Sequence, residues 1–96
     1  MQDFTKLLET VEASIYVRVN ELKKQNITIN GKRTSVTLEP QIWDILKEIA
    51  EEQNNTIHEL CSFIFDRKSE DSSLSSAIRV FLISYLYVVN KRLKTR

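Results

Sequence analysis

One short segment of alternating polarity, set between helical patterns, constrains the fold of this chain more than any other feature. From residue 33 to residue 38, side chains fall alternately on two faces, one polar and one on which Thr34 accompanies two apolar residues, as in a strand with one buried face. Val36 and Leu38 share the apolar face. A strand on its own leaves its backbone donors and acceptors without partners, so the segment must pair with a second strand. Its polar face carries Arg33, Ser35 and Thr37.

Two partners for this strand are compatible with the sequence. Asn30-Gly31 can form a type I′ turn that folds residues 27–29 back onto the segment. Alternatively, two copies of the chain can pair their segments antiparallel about a two-fold axis. We favour the second arrangement, because Val36 and Leu38 of both copies would then cover the helices beneath them. The polar faces of both copies would point outward.

The rest of the chain has helical patterns, and its composition favours long helices. One Gly and one Pro leave few positions for tight turns, so a many-stranded sheet is not expected and the fold class is mainly α. Apolar residues recur at three- and four-residue spacings over residues 3–24, which predicts an N-terminal helix that docks on the body or on a second copy. This stripe consists of Phe4, Leu7, Leu8, Val11, Ile15, Val19 and Leu22.

The residues after the strand predict two helices joined by a short link. Pro40 suits the first position of a helix, where its missing N–H removes no hydrogen bond. Asn54-Asn55 is expected to end this helix with a left-handed residue. Thr56, with Glu59 three positions later, is a capping box that begins the next helix. The apolar faces comprise Trp43, Leu46, Ile49 and Ala50 in the first helix and Ile57, Leu60, Cys61 and Ile64 in the second.

A third helix is expected from about Ser73, and it is apolar nearly all round. Such a helix lies centrally in a core. In a chain of 96 residues this indicates a subunit interface. The residues that we assign to a dimer core are Val36, Leu38, Trp43, Leu46, Leu60, Ile64, Ile78 and Phe81.

Composition argues against several other classes of protein. The single cysteine, Cys61, has no partner for a disulfide within the chain, so we expect a small core residue and a reducing cytoplasm. The only histidine, His58, has no companion ligands at a recognised spacing, so no metal site is expected. No catalytic motif occurs, and the apolar stretch 80–89 is too short to cross a bilayer. We therefore expect no enzymatic activity, cofactor, small-molecule ligand or membrane association.

The polar face of the strand indicates double-stranded DNA as the partner. A two-stranded ribbon fits the major groove of B-DNA, where Arg can donate paired hydrogen bonds to guanine and hydroxyl groups can reach either base type. The net charge is only +1, but positive charge is concentrated at Lys32-Arg33 and over residues 91–96. The predicted base contacts are Arg33, Ser35 and Thr37.

Longer runs of the sequence are similar to a known family over about residues 27–86. They are Gly31-Lys32-Arg33-Thr34-Ser35-Val36-Thr37-Leu38-Glu39-Pro40, then Trp43, Leu46 and Ile49-Ala50, and later Leu74-Ser75-Ser76-Ala77-Ile78-Arg79-Val80-Phe81-Leu82. With the order strand, helix, turn, helix, they resemble a bacterial subfamily of ribbon-helix-helix transcriptional regulators. The resemblance implies an intertwined homodimer with a two-stranded intermolecular antiparallel ribbon, here with an N-terminal helix and an additional C-terminal helix. It also implies a sequence-specific regulator, a bacterial or phage repressor that binds DNA as a dimer or as paired dimers.

The resemblance also assigns phosphate contacts, and we expect a division of the chain into three parts. The N-terminus of the second helix would hold a phosphate through backbone N–H groups and the Thr56 hydroxyl. The predicted phosphate contacts are Lys32, Asn55, Thr56 and His58. The division is an N-terminal helical extension (1–26), a ribbon-helix-helix domain with the third helix (27–90) and a basic tail (91–96).

The alternative function is a protein-interaction module, such as an antitoxin or adaptor that binds another protein through its N-terminal or third helix.

Overall fold

The fold is mainly helical, as predicted, with one small antiparallel sheet. The computed structural model describes residues 4–16 and 21–94. Val19 of the predicted N-terminal stripe and the last two residues of the predicted basic tail lie outside these ranges. The elements are α1 (Phe4–Tyr16), β1 (Lys23–Ile29), β2 (Lys32–Leu38), α2 (Pro40–Glu52), α3 (Ile57–Arg67) and α4 (Leu74–Lys94).

The two strands form a hairpin within one chain. They pair antiparallel along their whole length, from Lys23 opposite Leu38 to Ile29 opposite Lys32. Asn30 and Gly31 close the turn with φ values of 49° and 83°, as a type I′ turn requires. The prediction that residues 33–38 find their first partner in another molecule was therefore wrong. The folded-back alternative forms because Asn and Gly both tolerate the left-handed region.

The N-terminal helix is shorter than the sequence pattern predicted. The apolar spacing suggested a helix over residues 3–24, whereas α1 ends at Tyr16 and β1 begins at Lys23. The alternation of Ile27 and Ile29 with polar neighbours marks only the second half of β1, and full pairing with β2 stabilises the extended backbone back to Lys23. The Trp43 side chain also holds the start of β1, since its Nε1 donates a hydrogen bond of 2.8 Å to the Lys23 carbonyl.

The core lies between the inner face of the hairpin and the three C-terminal helices. The four apolar side chains of the inner face are at most 3 % exposed, and they join buried residues of α2, α3 and α4. Of the residues predicted for a dimer core, Phe81 is half-buried and the others are buried by their own chain. The buried core is Ile27, Ile29, Val36, Leu38, Trp43, Leu46, Ile49, Ala50, Leu60, Cys61, Ile64, Ile78 and Leu82.

The predicted helix boundaries after β2 are largely confirmed. Pro40 begins α2, and Asn54 follows its C-terminus with φ 57°, the left-handed residue that ends the helix. Thr56 and Glu59 form the reciprocal capping box at the start of α3. Ser73 precedes α4, and its hydroxyl accepts a hydrogen bond of 3.1 Å from the Ser76 N–H.

The predicted basic tail is helical as far as Lys94, because α4 continues to that residue. The two buried residues of α4, Ile78 and Leu82, lie in its first half, and Tyr85 packs against the core from just beyond them. The second half of α4 carries large exposed apolar side chains. The assignment of this helix to a subunit interface stays a prediction.

Cys61 is a core residue, as the sequence suggested. It is fully buried in α3, and burial raises the pKa of its thiol to about 11. The thiol is therefore neutral at pH 7, and the residue behaves as a small apolar side chain.

Candidate nucleic-acid interface

The outer face of the hairpin is polar and lies on the side away from the core. Arg33 and Ser35 are exposed and Thr37 is half-buried, so the three predicted base contacts share this face. The register brings three further side chains of β1 to the same face. The cross-strand pairs are Lys24 with Thr37, Asn26 with Ser35 and Thr28 with Arg33.

The contribution of β1 to this face was missed in the sequence. The stripe that ended at Leu22 extended the predicted helix over the first residues of the strand. The signal that could have found it is the alternation over residues 25–29, where Ile27 and Ile29 are separated by the exposed Thr28. Together, the two strands form a ribbon whose outer face carries two cations and no carboxylate.

The first turn of α3 lies beside the outer edge of β1. The Thr28 N–H donates to His58 Nδ1 at 3.0 Å, and the Asn30 N–H donates to the Ser62 hydroxyl at 3.2 Å. Asn30 also donates through Nδ2 to Asp66 Oδ1 at 2.8 Å. These bonds satisfy backbone donors at the edge of the sheet. They hold the N-terminus of α3 next to the ribbon, and they use Nδ1 of His58 as an acceptor.

The predicted phosphate contacts at this helix N-terminus are partly engaged within the chain. The Asn55 N–H donates to the Ala50 carbonyl at 2.8 Å, so only its side chain remains for a ligand. The Thr56 N–H donates to a Glu59 carboxylate oxygen at 2.8 Å, and the Thr56 hydroxyl accepts from the Glu59 N–H at 3.1 Å. The Thr56 hydroxyl can still donate. It and the first-turn N–H groups of Ile57 and His58 are the donors that this helix N-terminus could offer to an anion.

Lys32 lies at the turn end of the hairpin, opposite Ile29, and it is exposed. Its position in the alternation matches that of Val36 and Leu38, so its side chain leaves the strand on the inner side. Because it stands beyond the core at the end of the ribbon, its ammonium group remains in solvent.

The two edges of the hairpin differ. The Thr28 N–H points away from β2. In an antiparallel pair, backbone groups point alternately toward and away from the partner strand. The N–H and C=O groups of Arg33, which lies opposite Thr28, and those of Ser35 and Thr37 therefore point away from β1. The Thr37 carbonyl accepts a hydrogen bond of 3.1 Å from the Ser75 hydroxyl of α4. Within the part of the chain that the structure describes, the outward backbone groups of Arg33 and Ser35 form no hydrogen bond. The outer edge of β2 is therefore open at Arg33 and Ser35, whereas the outer edge of β1 is covered by α3.

An ion pair neutralises the carboxylate that follows β2. Arg79 donates from Nε and Nη2 to Glu39 Oε1, at 3.1 and 2.8 Å. The hydrogen bond from Arg79 is the main reason why the pKa of Glu39 lies below its ordinary value of 4.5, and a backbone hydrogen bond lowers it further. Glu39 is therefore ionised at neutral pH and compensated by Arg79, which also ties α4 to the end of the hairpin.

Comparison with known proteins identifies the class. A family model described as a ribbon-helix-helix domain matches residues 22–86, which is more than half of the chain. The chain belongs to the ribbon-helix-helix family. Domains of this family are generally DNA-binding regulators or antitoxins, and their fold is a non-enzymatic DNA-binding fold.

A solved structure has a similar fold. The structure of an uncharacterized protein from Bordetella pertussis Tohama I matches with a TM-score of 0.63 and 22% sequence identity, covering 82% of this chain and 71% of that chain. At this identity the match shows the fold alone. No curated protein matches the chain.

Features of two other kinds of site are absent from the described residues. None of the described helices combines the length and the apolar character needed to span a membrane. Residues 4–16 and 21–94 also contain no group of three or more His, Cys, Asp or Glu side chains that could hold a metal ion.

Proposed function

We propose that the protein is a sequence-specific DNA-binding regulator, a cytoplasmic repressor that reads the major groove with the outer face of its hairpin. The observation that carries this proposal is the polar outer face of a two-stranded ribbon, which has a helix N-terminus at its edge. The ribbon offers Arg33, Ser35 and Thr37 to base edges, and α3 offers N–H donors to a phosphate. This separates base readout from positioning, as DNA-binding proteins generally do.

Arg33 is the main base-reading residue of this proposal. Its guanidinium group can donate two parallel hydrogen bonds to O6 and N7 of a guanine, which no other base accepts in the same geometry. The hydroxyl groups of Ser35 and Thr37 donate to or accept from their target bases, so they add selectivity without defining one base. Arg33 is exposed, and its side chain makes no hydrogen bond or ion pair with the described residues.

The open edge of β2 supports a homodimer. Two β2 strands can pair antiparallel about a two-fold axis through Ser35, with Arg33 of each copy opposite Thr37 of the other. The outward backbone groups of Arg33 and Ser35 then gain partners, and the Thr37 carbonyl accepts from Arg33 of the other copy in addition to the Ser75 hydroxyl. The resulting sheet has the strand order β1, β2, β2, β1. The two β2 strands, one from each copy, lie at its centre, and each hairpin remains intact.

A selection experiment tests this function. The purified protein is incubated with a pool of random duplexes, bound DNA is amplified over several rounds, and the winning duplex is used in gel shifts. We expect a pseudo-palindromic winner that binds about 10³-fold or more tightly than random DNA at the same salt concentration. A pool that stays random after selection, or binding that does not saturate, contradicts the proposal.

A second function, a protein-interaction module such as an antitoxin, is favoured by the apolar surfaces of α1 and α4. On α4, Val80, Ile83 and Tyr87 lie on one stripe and are 60 to 69% exposed. Phe4 is 69% exposed on the stripe of α1. Apolar helix faces of this kind are typical of surfaces that bind another protein.

A matched pair of variants tests the second function. Ile83→Glu places a charge on the apolar stripe of α4, and Ser84→Glu places the same charge on its exposed neighbour. If α4 grips another protein, the wild type and Ser84→Glu capture a common partner that Ile83→Glu loses, while DNA binding is the same in all three. Equal capture by the two variants contradicts this function.

A further inference from the structure

We infer that β1 contacts the DNA phosphates at the walls of the major groove, and that Lys24 is its charged contact. The inference rests on the proposed function and extends it to a strand that does not enter the groove. Lys24, Asn26 and Thr28 occupy the outer face of the hairpin, one strand away from the residues that read bases. What distinguishes the two strands is their distance from the two-fold axis.

Strand spacing determines which strand can reach the bases. Neighbouring strands lie about 4.8 Å apart, so the two β2 strands of the dimer stand about 2.4 Å from the axis and the two β1 strands about 7 Å from it. The major groove is about 12 Å wide, which places its walls about 6 Å from the same axis. The central β2 strands therefore fit inside the groove. The outer β1 strands lie over its walls, where the phosphates are.

The side chains of β1 suit such a position. Lys24 is exposed and carries a flexible ammonium group, which binds phosphate as a point charge without a fixed geometry. Asn26 and Thr28 are exposed neutral donors on the same strand. Thr28 is also tied to the first turn of α3 through its N–H bond to His58. β1 and the N-terminus of α3 would thus lie on the same wall of the major groove.

The adjacent lysine is a matched control. Lys23 precedes Lys24 on the same strand and is exposed, but the alternation places its side chain on the opposite side of the sheet. Its carbonyl accepts the Trp43 bond, which a side-chain substitution leaves in place. Lys23→Gln and Lys24→Gln therefore remove the same charge at adjacent positions, and only the second removes it from the outer face.

The experiment measures the salt dependence of DNA binding. Wild-type protein, Lys24→Gln and Lys23→Gln are titrated onto the selected duplex and onto a random duplex over a range of KCl concentrations. Each phosphate contact contributes about −0.9 to the slope of log K against log salt, so Lys24→Gln in a dimer should make this negative slope shallower by about 2. Lys24→Gln should also weaken binding to the selected duplex and to the random duplex by a similar factor. Lys23→Gln should change the slope by less than half as much.

Three results overturn the inference, and they are distinguishable. If the wild type binds no DNA, the proposed function fails and the inference fails with it. If the wild type selects a site but Lys24→Gln and Lys23→Gln give the same slope, the inference alone fails. If selection with Lys24→Gln yields a different base at one position, Lys24 contacts a base and does not lie on the wall.

Discussion

The inner and outer faces of the hairpin come from alternate residues of the same two strands, yet their surroundings are opposite. The inner face carries Ile27, Ile29, Val36 and Leu38, which are nearly inaccessible and fill the core. The outer face is polar, and most of its side chains are exposed. Since a strand presents successive residues to opposite faces, a residue that stabilises the fold lies next to a residue of the candidate DNA-binding face. Substitutions one residue apart can therefore separate the two functions.

The largest expected effect is on the inner face. Leu38 is 0% exposed, and Leu38→Ala should lower the free energy of unfolding by about 2 to 5 kcal/mol, because it removes buried methyl groups and leaves a cavity. Urea denaturation followed by circular dichroism measures this loss. Ser35→Ala on the outer face is the control, with a change within about 0.5 kcal/mol. Similar losses for both variants would contradict the separation of the faces.

The next largest effect is on the outer face and concerns binding. Arg33→Ala should weaken binding to the selected duplex by about 1 to 3 kcal/mol, because two hydrogen bonds to one base are lost. Its thermal unfolding should match that of the wild type. The test is a gel shift against the selected duplex and against random DNA. An equal loss on both would show that Arg33 contributes charge and no base readout.

A smaller effect is expected at the turn that joins the two strands of the hairpin. Gly31 has φ +83°, and a Cβ added there would meet no atom within 4 Å. The cost of Gly31→Ala therefore comes from backbone conformation alone, about 1 to 2 kcal/mol of unfolding free energy. Chemical denaturation at constant pH measures it. A stabilised variant would argue that the turn adopts another conformation in solution.

Local signals in the sequence predicted much of the fold. Pro40, Asn54 and the pair Thr56–Glu59 each act within a few residues, and each marks a helix boundary in the structure. The alternation of residues 33–38 also identified β2 and its outward face correctly. These features depend on backbone sterics and on hydrogen bonds between near neighbours, which a single sequence expresses directly.

The rest depended on choices that local patterns do not decide. Residues 27–29 fit both a hairpin partner and a link to a separate strand, and the helical spacing that reached Leu22 hid the start of β1. The contact of His58 with Thr28 joins residues thirty positions apart, so it was invisible before the hairpin was placed. The role of β1 in the candidate interface was lost for the same reason.

The pairing of two β2 strands through Ser35 can be tested directly by a disulfide. In the proposed ladder the two Ser35 Cα atoms lie about 5.5 Å apart, within the range that a disulfide bridges. The two Asn26 residues lie three strand spacings apart, about 14 Å, which is too far. Cys61 is buried and its thiol neutral, so it should not compete. On a non-reducing gel after mild oxidation, Ser35→Cys should run as a covalent dimer and Asn26→Cys as a monomer. A monomeric Ser35→Cys, or equal cross-linking of both variants, would contradict the pairing on which the reading ribbon depends.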